Sequence, residues 1–430
     1  MTVYLLATFG GVMKSIGGIA LAVAVLLAMV TIHEFGHYIV GKRLGFKINE
    51  FSVGFGPALL KKRSKKTGEL FALRLVPLGG YCAFDGEDED DEEESQTPSK
   101  EAEPSADLEN EGGRVESTEE KSVDELFTET EIDGSEEGKP AEEKQEDEYP
   151  EPKGERFNNQ PPWKRILVLL AGAVMNYLLA LTLIIIMVGI YGEPMCIAMP
   201  IDYEDGMVVE HEDWETPYLS QRDILLEING EDISMITDCI DALQGKKAGD
   251  EVPVTVLRKR GEEWQEKEVI LVLQADADFE NMADTQVLEN VLGLEIYTTT
   301  LQRGFWRTIG ASFEYSWEMG TAVIRSLGEL ITGKLGVDSM GGPVTTITTT
   351  AQAATVSPFS FLYIASFIGV NLAVFNLLPI PALDGCKIIF CIIEWIRKKP
   401  VNRKVEAIIH FAGIIFLFGF AILVDLLQLF

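Results

Sequence analysis

His33, Glu34 and His37 stand together in the segment His33-Glu34-Phe35-Gly36-His37. On a helix, side chains four apart project from one face at neighbouring turns. Two imidazoles so placed can ligate one Zn²⁺, and the glutamate beside them can reach a water on that ion. The chain holds only four histidines, and two of them are here. The surrounding stretch is apolar from Ile16 to Val40, long enough to cross a bilayer as a helix. Ionisable side chains in such a helix are costly and persist where they pair or bind something. That cost weighs against chance stranding, the competing explanation.

The elements that must position this segment follow from the rest of the chain. Of 430 residues, 47% are hydrophobic, yet the formal net charge is −32. A membrane protein with a separate acidic segment combines these readily, and a soluble enzyme rarely does. Three further stretches are long and apolar enough to span: 166–191, 359–378 and 407–427. Residues 305–331 also look helical but carry Arg307, Glu314, Glu318, Arg325 and Glu329, as an amphipathic helix at the interface would. Five scattered cysteines (Cys82, Cys196, Cys239, Cys386, Cys391) form no Cys-x-x-Cys pair and read as small buried hydrophobes. No cleavable signal peptide is evident, since the first apolar run carries the histidines.

Basic residues flank the spans on one side of a four-span arrangement. They are Lys42 to Lys66, Lys164 with Arg165, and Lys387 with Arg397 to Lys404. By the positive-inside rule that side is cytoplasmic, which puts both termini and residues 192–358 outside. Residues 85–156 hold about 31 Asp and Glu against about 7 Lys and Arg. Such a segment cannot bury enough apolar surface to fold and reads as a disordered cytoplasmic insert.

Zinc needs a third protein ligand and leaves a fourth position for water. His211 falls in the outer region and His410 near the start of the fourth span, so neither is well placed. Asp384 is better placed. It ends the segment that runs from Asn376 through Pro379 and Pro381, at the cytoplasmic end of the third span. The histidine segment lies toward the same end of the first span, so the two halves meet at one depth. An Asp-Gly at a helix boundary is the plainer reading of Asp384 alone. The two prolines break the third span, and unwound backbone at membrane depth is tolerated where protein or a water-filled cavity satisfies it. Asn376 is a candidate to hydrogen-bond substrate or a developing oxyanion, or else the broken helix's own carbonyls.

Residues 193–275 read as a small β-rich unit. Asp223 to Gly230 is a strand entering an Asn-Gly turn. Residues 252–257 and 268–273 alternate as strands, and 235–243 reads as a short helix. This order resembles a PDZ domain, although Gln221-Arg222 replaces the usual glycine and no peptide-binding loop is recognisable. Residues 51–60 and 69–76 alternate as strands around the basic turn 61–68.

The combination of His33-Glu34-Phe35-Gly36-His37 in a first span with Asn376 to Gly385 in a late one resembles the site-2 protease family of intramembrane zinc metalloproteases. The segments 53–57, 74–81, 171–180, 340–344 and 393–401 also match. The PDZ-like insertion points to the bacterial, sigma-factor-regulating subgroup. The resemblance covers most of the chain except 85–156. Gly385-Cys386-Lys387 and Ala171-Gly172-Ala173 depart from the family pattern.

The resemblance implies a multi-pass α-helical inner-membrane protein with four transmembrane helices. It has a cytoplasmic-side β-hairpin and an extracytoplasmic PDZ-like α+β domain. Its parts are 1–84 (first span and hairpin), 85–156 (acidic insert), 157–192 (second span), 193–275 (PDZ-like domain), 276–358 (linker and interfacial helix) and 359–430 (last two spans). It also implies that the hairpin dips into the membrane near the zinc and adds an extended substrate as a strand. His33, His37 and Asp384 are the expected zinc ligands, with Glu34 moving the proton of the attacking water. Single-pass membrane proteins, such as anti-sigma factors or signal-peptide remnants, are the expected substrates, with no nucleic-acid partner. A catalytically silent PDZ-bearing scaffold is the alternative, and a metal-containing transporter a remoter one, since inverted repeats are not evident.

Overall fold

The computed structural model describes residues 2–87, 149–204, 207–210, 214–279, 284–336 and 340–428. Most of the acidic insert (88–148) and His211 lie outside the described residues. Residues 1–89 and 150–430 form one unit, which contains every described helix and strand.

Helix α1 runs Thr2–Leu44 and is followed by Gly45 at φ +83°, a left-handed position that glycine takes without steric cost. The chain then enters a hairpin of β1 (Ile48–Arg63) and β2 (Leu70–Phe84). Both strands run longer than the 51–60 and 69–76 read from sequence, because each bends and continues. Residues 50–53 partner 80–83 on one side and 70–73 on the other, while 58–63 partner 70–74. Gly54 permits the bend: a Cβ there would meet the Val76 carbonyl oxygen at 2.7 Å. Four strand segments thus lie side by side where sequence alternation showed two.

Helix α2 (Pro162–Tyr191) starts with proline at its first position, where the missing N–H costs nothing. It passes directly into β3 (Glu193–Met199). The sheet continues through β4 (Ile224–Ile228), β5 (Glu231–Asp232), α3 (Ile236–Leu243), β6 (Glu251–Arg260), β7 (Glu263–Val272), α4 (Thr285–Leu292) and β8 (Glu295–Leu301). Its order is β7-β6-β4-β3-β8, with β5 beside β4. Asn229 and Gly230, at φ 56° and 82°, make the tight β4–β5 turn. The sheet does not stop at residue 275, because β8 pairs along the whole of β3. As a half-covered edge strand, β8 carries little apolar alternation. Leu225, Ile228, Leu243, Val254 and Val256 fill the core beneath the sheet. A buried Arg258–Asp223 pair at 2.6 Å ties β6 to the loop before β4.

Helix α5 (Phe305–Thr332), α6 (Pro343–Val356), α7 (Pro358–Leu377), α8 (Asp384–Arg397) and α9 (Arg403–Leu427) complete the chain. Among the described residues, four helices are long and apolar enough to cross a membrane: residues Ser15–Leu44 of α1, then α2, α7 and α9. Helix α2 is central. Its Ala180, Ile184 and Met187 pack against Tyr315 and Met319 of α5 and Val370 of α7. Small residues let these helices approach: a Cβ on Gly369 would lie 2.9 Å from that of Ala180. Helix α5 buries one face in this contact and exposes Phe305, Trp306 and Trp317 on another. Its charged residues reach the sheet unit, as in Arg307–Glu193 at 2.5 Å and Arg325–Asp238 at 3.3 Å.

Candidate active site

Helical spacing puts His33 and His37 on the α1 face that meets α2, and the contact is made possible by glycines. Gly36 lies against the Ala171 carbonyl, and a Cβ on Gly172 would fall 2.5 Å from His37 Nε2 and 2.6 Å from His33 Cε1. Asp384 arrives from the other side, as the first residue of α8. The break before it is made by Pro379 and Pro381, as read from sequence. Ala382 takes φ +80° in this loop, and its N–H donates to His410 Nδ1 at 3.1 Å. Gly413 of α9 fits against Pro381. A buried ion pair of Arg165 on α2 with Glu394 on α8, joined by Arg403 of α9 at 3.0 Å, fixes α8 at the same end.

The structure brings His33, His37 and Asp384 together. His33 Nε2 is 3.0 Å from Asp384 Oδ2, His37 Nε2 is 3.4 Å from it, and the two imidazole nitrogens are 3.1 Å apart. Both imidazoles are buried. Ligands at about 2.0–2.1 Å around a tetrahedral ion stand roughly 3.3–3.4 Å apart, so this triangle is close to zinc size. Its chemistry also calls for a cation. His37 Nδ1 is 2.8 Å from the Val168 carbonyl, which can only accept, so the proton of a neutral His37 sits there. Its Nε2 lone pair then points at Asp384 Oδ2 and His33 Nε2, and acceptors converge on one point.

Two asparagine amides reach His33 Nδ1, Asn176 from α2 and Asn376 from α7, each at 3.4 Å. The Asn176 Oδ1 is buried without a partner. Turned over, that amide would accept from Nδ1–H and leave Nε2 free to ligate. Asn376 therefore lies behind His33. Glu34 sits beside the triangle and accepts from the Cys82 backbone N–H. A Cβ on Gly80 would be 3.5 Å from its Cγ. The 80–84 segment of β2 thus borders the site. An apolar cavity of about 850 Å³ opens next to it, lined by Leu26, Val30, Gly79, Asn371 and Phe375 among others.

Sequence reasoning missed Asn176, Gly172, the Val168 carbonyl and the bracing role of His410. Asn176 alone carried a signal, being a polar residue in the middle of an apolar span.

The profile of peptidase family M50 matches residues 21–420. The regulator of sigma-W protease RasP of Bacillus subtilis is 28% identical over 422 residues, covering 90% of this chain and 92% of that protein. The zinc metalloprotease RasP of Bacillus licheniformis is also 28% identical, covering 90% and 93%. That of Geobacillus kaustophilus is 26% identical, covering 91% and 92%. A match over nearly the whole length, on a chain with four membrane-length helices, leaves one family: the chain belongs to peptidase family M50, the site-2 proteases, and is a zinc-dependent intramembrane endopeptidase.

Proposed function

We propose that His33, His37 and Asp384 hold the zinc and that Glu34 is the proton carrier of peptide-bond hydrolysis. The observation that carries this is the triangle of converging acceptors beside Glu34. Bound zinc supplies Lewis acidity, which brings water toward ionisation near neutral pH and polarises the scissile carbonyl. Glu34 takes the proton of the attacking water and passes it to the leaving amine. Val168 and Asn176 hold the two imidazoles in the tautomer that presents Nε2. Asn376, with its amide at His33 Nδ1, supports the orientation of that ring from behind in place of the substrate or oxyanion contact expected from sequence.

A peptide bond inside an intact helix is shielded by its own hydrogen bonds, so the substrate must be extended before cleavage. The 80–84 segment, with its Cys82 N–H directed at Glu34, supports edge addition of an extended substrate there. The substrates are single-pass membrane proteins. A relative named for regulating a sigma factor supports anti-sigma factors as one class, with signal-peptide remnants as another. The basic clusters support an inner-membrane topology with the site toward the cytoplasm and both termini outside. The sheet that begins at residue 193 is the PDZ-like domain in this reading, placed outside the membrane to reject bulky ectodomains.

Glu34→Gln keeps the carboxylate's shape and removes the base. It should abolish cleavage of a reconstituted single-pass reporter while zinc stays bound. A Glu34→Gln protein that still cuts would overturn the assignment.

A further inference from the structure

The β1–β2 hairpin has a second edge, opposite the 80–84 segment that borders Glu34. Its outer segment, residues 55–63, has no strand on its far side among the described residues, and Leu59 and Leu60 are 59% and 67% exposed. Phe55, Leu73, Leu75 and Val76 extend the same apolar surface. Directly after Leu60 come Lys61, Lys62, Arg63, Lys65 and Lys66, all exposed. Ion pairs of this hairpin include Lys42–Glu69 and Arg74–Glu50. Among the described residues none involves Lys61, Lys62, Arg63 or Lys66.

The order along the strand has a direction relative to the membrane. Directly opposed residues in paired strands share a face. One face therefore carries Leu60 with its partner Leu73, then Lys62 with Phe71. The other carries Leu59, then Lys61 and Arg63. On both faces apolar residues give way to cations at the same point.

Two contacts set the level of that point. Gly80, in the row of Val53, Leu73 and Leu60, abuts Glu34. Glu69, beside the Leu70–Arg63 row, binds Lys42 in the last turn of α1 at 2.8 Å. Glu34 and Lys42 are eight helical residues apart, about 12 Å along α1. Leu60 to Arg63 spans roughly 10 Å of strand in the same direction. The cations therefore lie between the level of the reaction centre and the end of the spanning helix, with the bent, apolar end of the hairpin deeper. Lysine and arginine at that level direct their charged ends to the headgroup layer.

We infer that the 59–66 edge of the hairpin is a binding site for anionic phospholipid, with Lys61, Lys62, Arg63, Lys65 and Lys66 on the phosphate headgroup and Leu59 and Leu60 against the acyl chains. This rests on the four-span reading and not on the zinc assignment. The juxtaposed apolar surface selects a lipid over a free phosphate, since a soluble anion would gain nothing from Leu59 and Leu60. Each cation near a charged surface strengthens binding by roughly fivefold, so losing three should weaken it about a hundredfold.

The test is native mass spectrometry of the full-length protein in detergent, titrated with phosphatidylglycerol, phosphatidylcholine or glycerol 1-phosphate. The wild type should bind phosphatidylglycerol well over tenfold more tightly than phosphatidylcholine, and glycerol 1-phosphate should not compete. The triple variant Lys61→Gln/Lys62→Gln/Arg63→Gln should lose the preference. A second triple variant, Arg397→Gln/Lys398→Gln/Lys399→Gln, removes as much charge elsewhere and should keep it. Leu59→Ser/Leu60→Ser should weaken both lipids with every charge retained. Equal binding of the two lipids to the wild type would overturn the inference. So would a preference that survives in the first variant or disappears in the second, or competition by glycerol 1-phosphate. Zinc content, read in the same spectra, should be unchanged throughout, so a failure here leaves the reading of the reaction centre standing.

Discussion

Replacing Gly172 with alanine adds one methyl group at the point where α2 meets the two histidines. The new Cβ would stand 2.5 Å from His37 Nε2, and ordinary contact begins near 3.4 Å, so something must move by about 0.9 Å. The shift cannot be absorbed cheaply. Gly36 holds α1 against the Ala171 carbonyl, and the Val168 carbonyl holds the far side of His37. Metal–ligand distances tolerate about 0.2 Å, so a shift of this size spoils the set. Loss of an outer hydrogen bond to a ligand already costs 10–100-fold in metal affinity or activity. Displacement of the ligand itself should cost at least about a hundredfold. The helix itself gains, because alanine is better than glycine in a helix interior by about 0.8–1.0 kcal/mol. Overpacking costs about 1–3 kcal/mol, which this gain offsets only in part, so Gly172→Ala should melt only slightly below the wild type while losing zinc to a chelator far more readily and cleaving slowly. Chelator competition, circular-dichroism melting and a cleavage assay on one preparation read this. Wild-type zinc affinity and activity in Gly172→Ala would refute the packing argument.

His410→Ala should loosen the Pro379–Asp384 loop, since Ala382 at φ +80° is held there by that ring; roughly tenfold weaker zinc binding is expected, with partial rescue by His410→Asn. Arg165→Met leaves Glu394 buried with Arg403 as its remaining cation, and should cost about 3 kcal/mol in thermal unfolding; Arg165→Met/Glu394→Met should recover part of it. Burial pushes the Glu318 carboxyl, which accepts from Ser234 at 2.9 Å, up from 4.5 to about 7. The folded state thus keeps a proton that the unfolded chain has lost. This contribution is full below about pH 4.5 and fades as pH rises through 7. Hydrogen-exchange protection across the α3–α5 contact, taken relative to the intrinsic exchange rate at each pH, should be lower at pH 8 than at pH 5.5, and Glu318→Gln should remove its share of that difference.

The spans and the reaction centre were legible in sequence because each rests on a pattern that few environments allow. Two histidines and a glutamate in an apolar helix are too costly to be idle, and Asp384 was singled out by its depth, at the same end of the third span as the histidines are of the first. Asn229-Gly230 likewise specified its own turn. What was not legible depends on approach between distant segments. Gly172 is one of many glycines until α1 is laid against α2. His410 falls outside the ligand set, and only the folded loop shows the backbone N–H it binds. The β8 strand was missed because an edge strand buries little and so alternates little. The hairpin bends were missed because they follow from glycine conformations that hydropathy does not encode.

One zinc held by His33, His37 and Asp384, with Glu34 handling the proton, is the arrangement on which the proposed hydrolysis depends. The decisive measurement is zinc per chain, read by plasma mass spectrometry on dialysed wild type, Glu34→Gln and Asp384→Ala side by side. About one zinc per chain is expected for the wild type and for Glu34→Gln, and little for Asp384→Ala. An Asp384→Ala protein that retains a full equivalent of zinc would contradict the proposed ligand set.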